Sequence, residues 1–381
     1  MGRRAIYSET GGIKEISCVG CGGLYPSTGL PHLCQTCGGL FDFRNPLTFN
    51  PTLVDRSQPG IWRYRHTFGL PTESEPVSLG EGDTPLAWAT VLNREVAFKC
   101  EYFNPSGSFK DRGSSVIATW LKSRNIREAV EDSSGNAGAS FAAYSARAGI
   151  KARIYVPESS SGPKRSQMEV YGADVVPVPG ERSRAAEAVL AAVNERKIYA
   201  SHAYLPFNIP GYATMAFEIF EQLDGKIPGA VLVPAGQGGL LLGLWRGFCA
   251  LRIANNIKDI RPKIIGVQSK ACAPLWIEYS GTEEDIPVRS TIAEGVQVRY
   301  PIRKDAVIQA VKASRGCISA VEEEDIIPGR NSLRKLGFYV EPTSAIVWAV
   351  LEKIIHQLPD PVVVILTGSG LKQETNHIRI N

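Results

Sequence analysis

No apolar run in the 381-residue sequence approaches the roughly 18 residues a membrane-spanning helix needs. The opening stretch Met1-Gly2-Arg3-Arg4-Ala5-Ile6 carries arginines but no apolar segment behind them, which is not a signal-peptide pattern. Ile6 also stands where N-myristoylation requires Ser or Thr. A cytoplasmic location is therefore expected. An excess of one charge is lacking too. The 42 basic and 38 acidic residues leave a net charge of +4, which gives no reason to expect nucleic acid or a membrane surface as the main partner. Cysteine is sparse, with 8 residues in the chain, too few for a disulfide scaffold. Four of them are scattered (Cys100, Cys249, Cys272, Cys317) in apolar surroundings and read as packing residues. Two familiar phosphate-binding patterns are missing. The glycine-rich stretch at Gly236–Gly239 is not followed by Lys-Ser/Thr, so it is no P-loop, and it lacks the G-x-G-x-x-G spacing of a dinucleotide site.

What is present is an ordinary globular composition, 44% hydrophobic and 21% charged. The length suits two domains and a small extra module. Residues 46–80 lack periodicity and read as a wrapping segment on the main body. From about residue 87, short apolar runs alternate with helical spacing. Strands are expected at Glu95–Lys99, Arg127–Val130, Ala152–Val156, Asp174–Val178, Ala230–Val233, Lys263–Val267 and Pro361–Leu366. Helices are expected at Ser115–Ser123, Gly138–Ala148, Lys164–Tyr171, Ser183–Val193, Tyr212–Leu223, Leu240–Ile253 and Thr343–Ile355. Gly149, Gly172 and Gly337 stand where helices commonly end. Strand–helix alternation implies an α/β fold with mostly parallel sheets. In such sheets ligands sit at the carboxyl ends of strands.

Four segments stand at such places. In Asn104-Pro105-Ser106-Gly107-Ser108-Phe109-Lys110-Asp111-Arg112-Gly113, a turn enters a helix with Lys110 at the junction. The helix dipole there disfavours the ammonium charge, and a neutral amine is what Schiff-base chemistry requires. Ser133-Ser134-Gly135-Asn136-Ala137-Gly138 follows a strand and opens a helix, so its backbone N–H groups can receive an anion such as a carboxylate. A plainer reading is a serine-capped helix start. Gly236-Gln237-Gly238-Gly239-Leu240 lets the backbone curl around a phosphate at a helix N-terminus. Thr367, in Thr367-Gly368-Ser369-Gly370-Leu371-Lys372, offers a hydroxyl to a heteroaromatic nitrogen.

Together, and in this order, the four segments resemble the fold-type II pyridoxal-phosphate enzymes. That group includes threonine synthases, serine/threonine dehydratases, tryptophan synthase β subunits and cysteine synthases. Leu79-Gly80-Glu81-Gly82-Asp83-Thr84-Pro85-Leu86 and Glu341-Pro342-Thr343-Ser344-Ala345 also match, so the resemblance covers roughly 79–372. The Ser-Phe-Lys-Asp-Arg-Gly and Thr-Gly-Ser-Gly-Leu-Lys forms and the cysteine-bearing N-terminus are most similar to the threonine synthase branch.

The resemblance implies two open twisted sheets flanked by helices, in the tryptophan synthase β-like arrangement. It implies a large cofactor domain (46–113 and 213–381), a small mobile domain (114–212) and a homodimer. By the same resemblance Lys110, with Phe109 beside it, holds pyridoxal 5'-phosphate, and Asn136 faces its phenolic oxygen. The backbone of Ser133, Ser134, Gly135 and Ala137 receives the substrate carboxylate. Gly236, Gln237, Gly238, Gly239 and Leu240 cradle the cofactor phosphate, and Thr367 meets the pyridine nitrogen. A hydroxyl at that nitrogen suits elimination better than transamination. The implied reaction is β- or γ-elimination or replacement on a small amino acid, foremost O-phosphohomoserine and water to threonine and phosphate. A serine/threonine ammonia-lyase, or a cysteine- or cysteate-synthase-like enzyme, is the alternative.

The sequence also departs from the threonine synthase pattern. Ala137 stands where a threonine is usual. Leu205-Pro206-Phe207-Asn208 replaces Asn-Pro-x-Arg, and Thr291-Ile292-Ala293-Glu294-Gly295 is more similar to the dehydratases. Losing an arginine contact to phosphate removes about 1.5–3 kcal/mol. Lys164, Arg165, Arg112 and His202 are the groups that could compensate.

Residues 1–45 form a distinct module. Cys18-Val19-Gly20-Cys21-Gly22-Gly23-Leu24-Tyr25 is repeated as Cys34-Gln35-Thr36-Cys37-Gly38-Gly39-Leu40-Phe41. Two C-x2-C pairs have the ligand spacing of a structural four-thiolate zinc site. Zinc ribbons often bind nucleic acid, but Lys14 is the only basic residue between 14 and 41 apart from His32, which argues against that role here.

Overall fold

The computed structural model describes residues 13–160, 162–180, 182–195, 197–257, 261–282 and 288–373. The N-terminal hexapeptide read above for targeting signals lies outside them. The chain divides into two compact units, one formed by the chain up to Glu81 with Lys110–Gly211, the other by Gly82–Phe109 and the chain from Tyr212 on. Residues 46–81 and 110–113 thus group with the smaller sheet.

The first unit contains a parallel sheet of β6 (Glu128–Glu131), β7 (Lys151–Pro157), β8 (Asp174–Val178) and β9 (Ile198–Tyr199), in the order β8-β7-β6-β9. Its helices are α1 (Lys110–Ser123), α2 (Asn136–Ala148), α3 (Pro163–Val170) and α4 (Arg182–Asn194). It also carries a three-stranded antiparallel sheet of β1 (Ile13–Cys18), β2 (Leu24–Tyr25) and β3 (Phe41–Phe43). Ile13, Ile16, Tyr25 and Phe41 from that small sheet share one buried cluster with Trp120, Leu121 and Phe207. Tyr25 meets Phe41 at 4.6 Å and Phe207 at 5.1 Å, edge to face, a geometry ring quadrupoles favour. The N-terminal module is therefore part of this unit's core.

Residues 46–80 do wrap onto the unit. The anchor is Glu81, fully buried, whose carboxylate accepts from Trp62 Nε1 at 2.7 Å, Tyr144 Oη at 2.8 Å and Leu79 N at 2.9 Å. A buried carboxylate needs such a donor set to offset its desolvation.

The second unit is built on six strands, in the order β12-β11-β10-β13-β5-β4. These are β4 (Leu86–Val91), β5 (Arg94–Cys100), β10 (Ala230–Pro234), β11 (Lys263–Ser269), β12 (Cys317–Val321) and β13 (Val362–Leu366). All neighbours are parallel except β4 with β5. Every residue of β10 and β13 is buried, as expected of central parallel strands covered on both faces. Its helices are α6 (Gly239–Ala254), α7 (Pro274–Ser280), α8 (Lys304–Ala313), α9 (Ile326–Lys335) and α10 (Pro342–Ile354), while α5 (Asn208–Gln222) is shared between the units.

Each expected strand and helix lies on an observed one. The main differences are at helix starts. α1 begins at Lys110 rather than Ser115, because Asp111, Arg112, Gly113 and Ser114 are all buried although they show no apolar periodicity. α5 begins at Asn208 rather than Tyr212, with Gly211 in its first turn. A Cβ on Gly211 would lie 2.2 Å from the carbonyl of Arg112, so only glycine permits that approach. Strands β1 to β4, β9 and β12 and helices α7, α8 and α9 come in addition. No helix among the described residues is long and apolar enough to cross a membrane.

Candidate active site

In the second unit, β10, β13 and β5 lie side by side and run parallel. Their carboxyl ends share one edge, where α/β sheets bind ligands. After β10 comes the glycine loop, after β13 comes Thr367, and after β5 comes the turn that leads to Lys110. The last two are stitched together. Phe109 N–H donates to the Thr367 carbonyl at 3.0 Å, and Ser369 N–H to the Gly107 carbonyl at 3.0 Å. Lys372 Nζ donates to the Ser106 carbonyl at 2.8 Å. Lys110 is the next residue in the chain after Phe109.

The glycine loop ends at Gly238, the N-cap of α6, which sits in the left-handed region at φ 81° and gives no side-chain cap. A Cβ there would lie 2.4 Å from Val307 Cγ2, and one on Gly236 would lie 2.7 Å from the Gly295 carbonyl. Gln237 accepts from Ile302 N–H at 3.3 Å through its Oε1. The first N–H groups of a 16-residue helix are thus left to the loop's own concavity. The Thr367 hydroxyl is buried and lies 2.9 Å from Ser344 Oγ, which also accepts from Gly368 N–H at 3.0 Å. Ser108 Oγ is fully buried and has no hydrogen-bond partner among the described residues. An uncapped helix N-terminus, a tethered hydroxyl and an orphaned buried hydroxyl at one strand edge fit a group that carries a phosphate and a polar heteroaromatic ring.

In the first unit, Lys110 is the first residue of α1 and half-buried. The loop after β6 leads into α2, whose N-cap is Gly135, without a side-chain cap. The serine-capped reading is therefore set aside: Ser133 Oγ accepts from Gly135 N–H at 3.3 Å and neither serine closes the helix. Asn136 is the first helical residue, with Ala137 buried behind it. Gly138 makes the loop possible, since a Cβ there would lie 1.9 Å from the Ser133 carbonyl and 2.7 Å from Met168 Cε. Gly138→Ala is therefore expected to destabilise the protein by about 1–3 kcal/mol. Denaturant midpoints compare it with Ala139→Gly, which makes no such clash.

The compensating cations separate clearly. Arg165 is engaged with Glu169 at 3.1 Å. Arg112 is fully buried within α1, and Lys164 is buried on α3. His202 is held well below the ordinary imidazole range by burial first, then by the positive charge of Lys110. Asn208 is spent on structure, as its Nδ2 donates to the His202 carbonyl at 2.6 Å. Cys100 and Cys272 are buried, whereas Cys249 and Cys317 are only partly so. Burial pushes the Cys100, Cys249 and Cys317 thiols up, which disfavours the nucleophilic thiolate.

Sequence reasoning gave no role to Ser344 or Ser108, and considered His202 only as a compensating cation. Ser344 and Ser108 lie within motifs already singled out. The structural setting of His202 carries no local signal, because its partners are far away in the chain.

The four module cysteines converge, their sulfurs all within 4.8 Å of one another. Cys18 and Cys37 Sγ are 3.4 Å apart, Cys21 and Cys34 Sγ 3.6 Å. Tetrahedral thiolates on zinc stand about 3.8 Å apart. The sequence repeat is a structural one. Cys18 N–H donates to the Gly23 carbonyl and Cys34 N–H to the Gly39 carbonyl, both at 2.8 Å. Gly22 and Gly38 take positive φ, 75° and 71°, while a Cβ on Gly39 would lie 2.7 Å from Cys18 Sγ. Backbone N–H groups of Cys37 and Thr36 push the Cys34 thiol down to about 6, and Cys18 is lowered chiefly by the Cys21 N–H, while hydrogen bonds from Cys37 to the neighbouring sulfurs push its own thiol up to about 12.

A family model described as pyridoxal-phosphate dependent enzyme matches residues 77–368. The chain is similar to the threonine synthase of Methanocaldococcus jannaschii, 34% identical over 95% of this chain and 94% of that one. It is also similar to that of Methanosarcina acetivorans, 30% identical over 94% and 92%. Among solved structures, a threonine deaminase from T.th. aligns with a TM-score of 0.63 and 27% identity over 76% of this chain and 94% of that one. Maize serine racemase aligns with a TM-score of 0.65 and 22% identity over 77% and 89%, a likeness of fold.

Proposed function

The chain belongs to the pyridoxal-phosphate dependent enzymes, on their threonine synthase branch, and from that membership we propose that it converts O-phosphohomoserine and water into threonine and phosphate. The observation that carries the assignment of residues is the meeting of the glycine loop, Thr367 and the turn into Lys110 at one sheet edge. Pyridoxal phosphate, when bound, supplies an electron sink for negative charge developing at the substrate carbons. The N–H groups of Gly236, Gln237, Gly238, Gly239 and Leu240 would hold its phosphate, with Phe109 and Asn136 beside its ring. The Thr367 hydroxyl would meet its ring nitrogen without supplying a formal charge. Lys110 would tether the group through its ε-amine and move protons at the substrate carbons. Ser133, Ser134, Gly135 and Ala137 would receive the substrate carboxylate on their backbone. In the proposed reaction Cα and Cβ each lose a proton, phosphate leaves Cγ, Cγ gains a proton, and water enters at Cβ before Cα is reprotonated, so protons would be moved at three consecutive carbons, a task for a mobile amine.

We further propose that Cys18, Cys21, Cys34 and Cys37 hold one structural zinc. Homodimerisation, implied by the motif resemblance, and cytoplasmic residence, expected from the sequence pattern, belong to the same reading.

A serine/threonine ammonia-lyase is the second reading, favoured by Asn208. The residue in the place of the expected arginine is engaged by the His202 carbonyl and brings no charge. Parallel assays with O-phosphohomoserine, threonine, serine and O-phosphoserine decide between them. Phosphate and threonine from O-phosphohomoserine are expected. Ammonia and a 2-oxo acid from threonine or serine, with O-phosphohomoserine inert, would replace the first reading by the second.

A further inference from the structure

A buried polar chain runs beneath the first turn of α1. Asp111 Oδ1 and Ser140 Oγ are 2.6 Å apart, Ser140 Oγ and Ser114 Oγ 2.7 Å, and Ser114 Oγ and His202 Nε2 3.0 Å. Asp111, Ser114, Ser140 and His202 are all at least nine-tenths buried. Each contact needs one proton. The carboxylate of Asp111 only accepts, and each hydroxyl carries a single hydrogen. Ser140 gives its hydrogen to Asp111, so Ser114 must give its own to Ser140. The third proton can come only from the imidazole. His202 therefore carries its hydrogen on Nε2. On the far side of the ring, His202 Nδ1 lies 3.5 Å from Glu131 Oε1, outside the usual hydrogen-bond range.

The relay ties three elements together. Asp111 and Ser114 lie on one face of α1, directly after Lys110. Ser140 lies one turn after Asn136 on α2. The His202 backbone is clamped by the Asn208 amide. The relay thus fixes the rotation of the α1 first turn relative to the loop that opens α2.

We propose that His202, as the neutral Nε2–H tautomer, is a positioning residue for Lys110, which rests on Lys110 being the cofactor lysine. His202 touches no reacting atom; it heads the donor chain that sets where the Lys110 stem begins. The Asn208 amide, in the arginine's place, holds the backbone that carries the histidine.

The test compares His202→Leu, which removes the donor at similar volume, with His202→Gln, which keeps an N–H at the same reach. The readout is the rate at which apoenzyme captures pyridoxal 5'-phosphate on Lys110, trapped with borohydride and read by peptide mass. Capture and kcat should both fall roughly 10- to 100-fold in the leucine variant with KM little changed, and stay within about 3-fold of wild type in the glutamine variant. Capture at the wild-type rate in the leucine variant, or equal losses in both, would overturn the proposal. Nitrogen-15 NMR of the wild-type apoenzyme gives a second readout, needing no variant to fold. An Nε2–H imidazole is expected, and an Nδ1–H one would refute the relay. A label on another lysine would refute the cofactor assignment instead, leaving the tautomer result standing.

Discussion

Lys110→Ala is expected to lower turnover by more than ~10³-fold while leaving the protein folded. This one amine is asked both to tether the cofactor and to carry protons, so nothing of either task survives its removal. The loss should cost the fold little, because the lysine is half-buried at the first position of α1 and alanine is compatible with a helix there. The far-ultraviolet dichroism and melting midpoint should therefore match wild type. Borohydride reduction of the yellow holoenzyme should place the pyridoxyl group on the peptide containing Lys110. A label on any other lysine, or activity in the alanine variant above about 1% of wild type, would show the assignment to be wrong.

Loss of the four-thiolate site should have the second large effect, on stability. Cys34→Ala is expected to cost about 4 kcal/mol or more. The small antiparallel sheet contributes Ile13, Ile16, Tyr25 and Phe41 to the same cluster as Trp120 and Phe207, so the damage should not stop at the module. For a unit of this size that corresponds to a drop of roughly 10 °C or more in melting midpoint. Elemental analysis should find one zinc per wild-type chain and less than half of that in the variant. A metal-free wild-type protein with four titratable thiols and an unchanged midpoint would refute the zinc reading.

Much of this architecture was legible because local signals agreed with the fold. The apolar runs at Ala230–Val233 and Pro361–Leu366 became central strands, and Gly149 adopts the left-handed helix cap at φ 68°. What escaped had contrary local signals. Strand β4 alternates only weakly, with several half-exposed residues. It pairs through a Leu92-Asn93 turn with φ 46° and 62°, without the Asn-Gly pair that marks such turns. Helix α9 has Pro328 and Gly329 in its first turn, where proline is tolerated but reads as a breaker. The start of α1 was hidden by the polarity of residues 110–114, of which 111–114 are buried and two, Asp111 and Ser114, join the relay. The candidate cofactor loops could be read because each is contiguous in the chain. The place of His202 in the relay could not, because Ser114 and Glu131 meet it only in the folded unit.

The most direct measurement is the reaction of the purified enzyme with O-phosphohomoserine in oxygen-18 water. Threonine and phosphate should form in equal amounts, with the heavy oxygen on the threonine Cβ hydroxyl and none in the phosphate. Heavy oxygen in the phosphate, with homoserine as the other product, would mean simple ester hydrolysis and would contradict the assignment, as would no reaction at all.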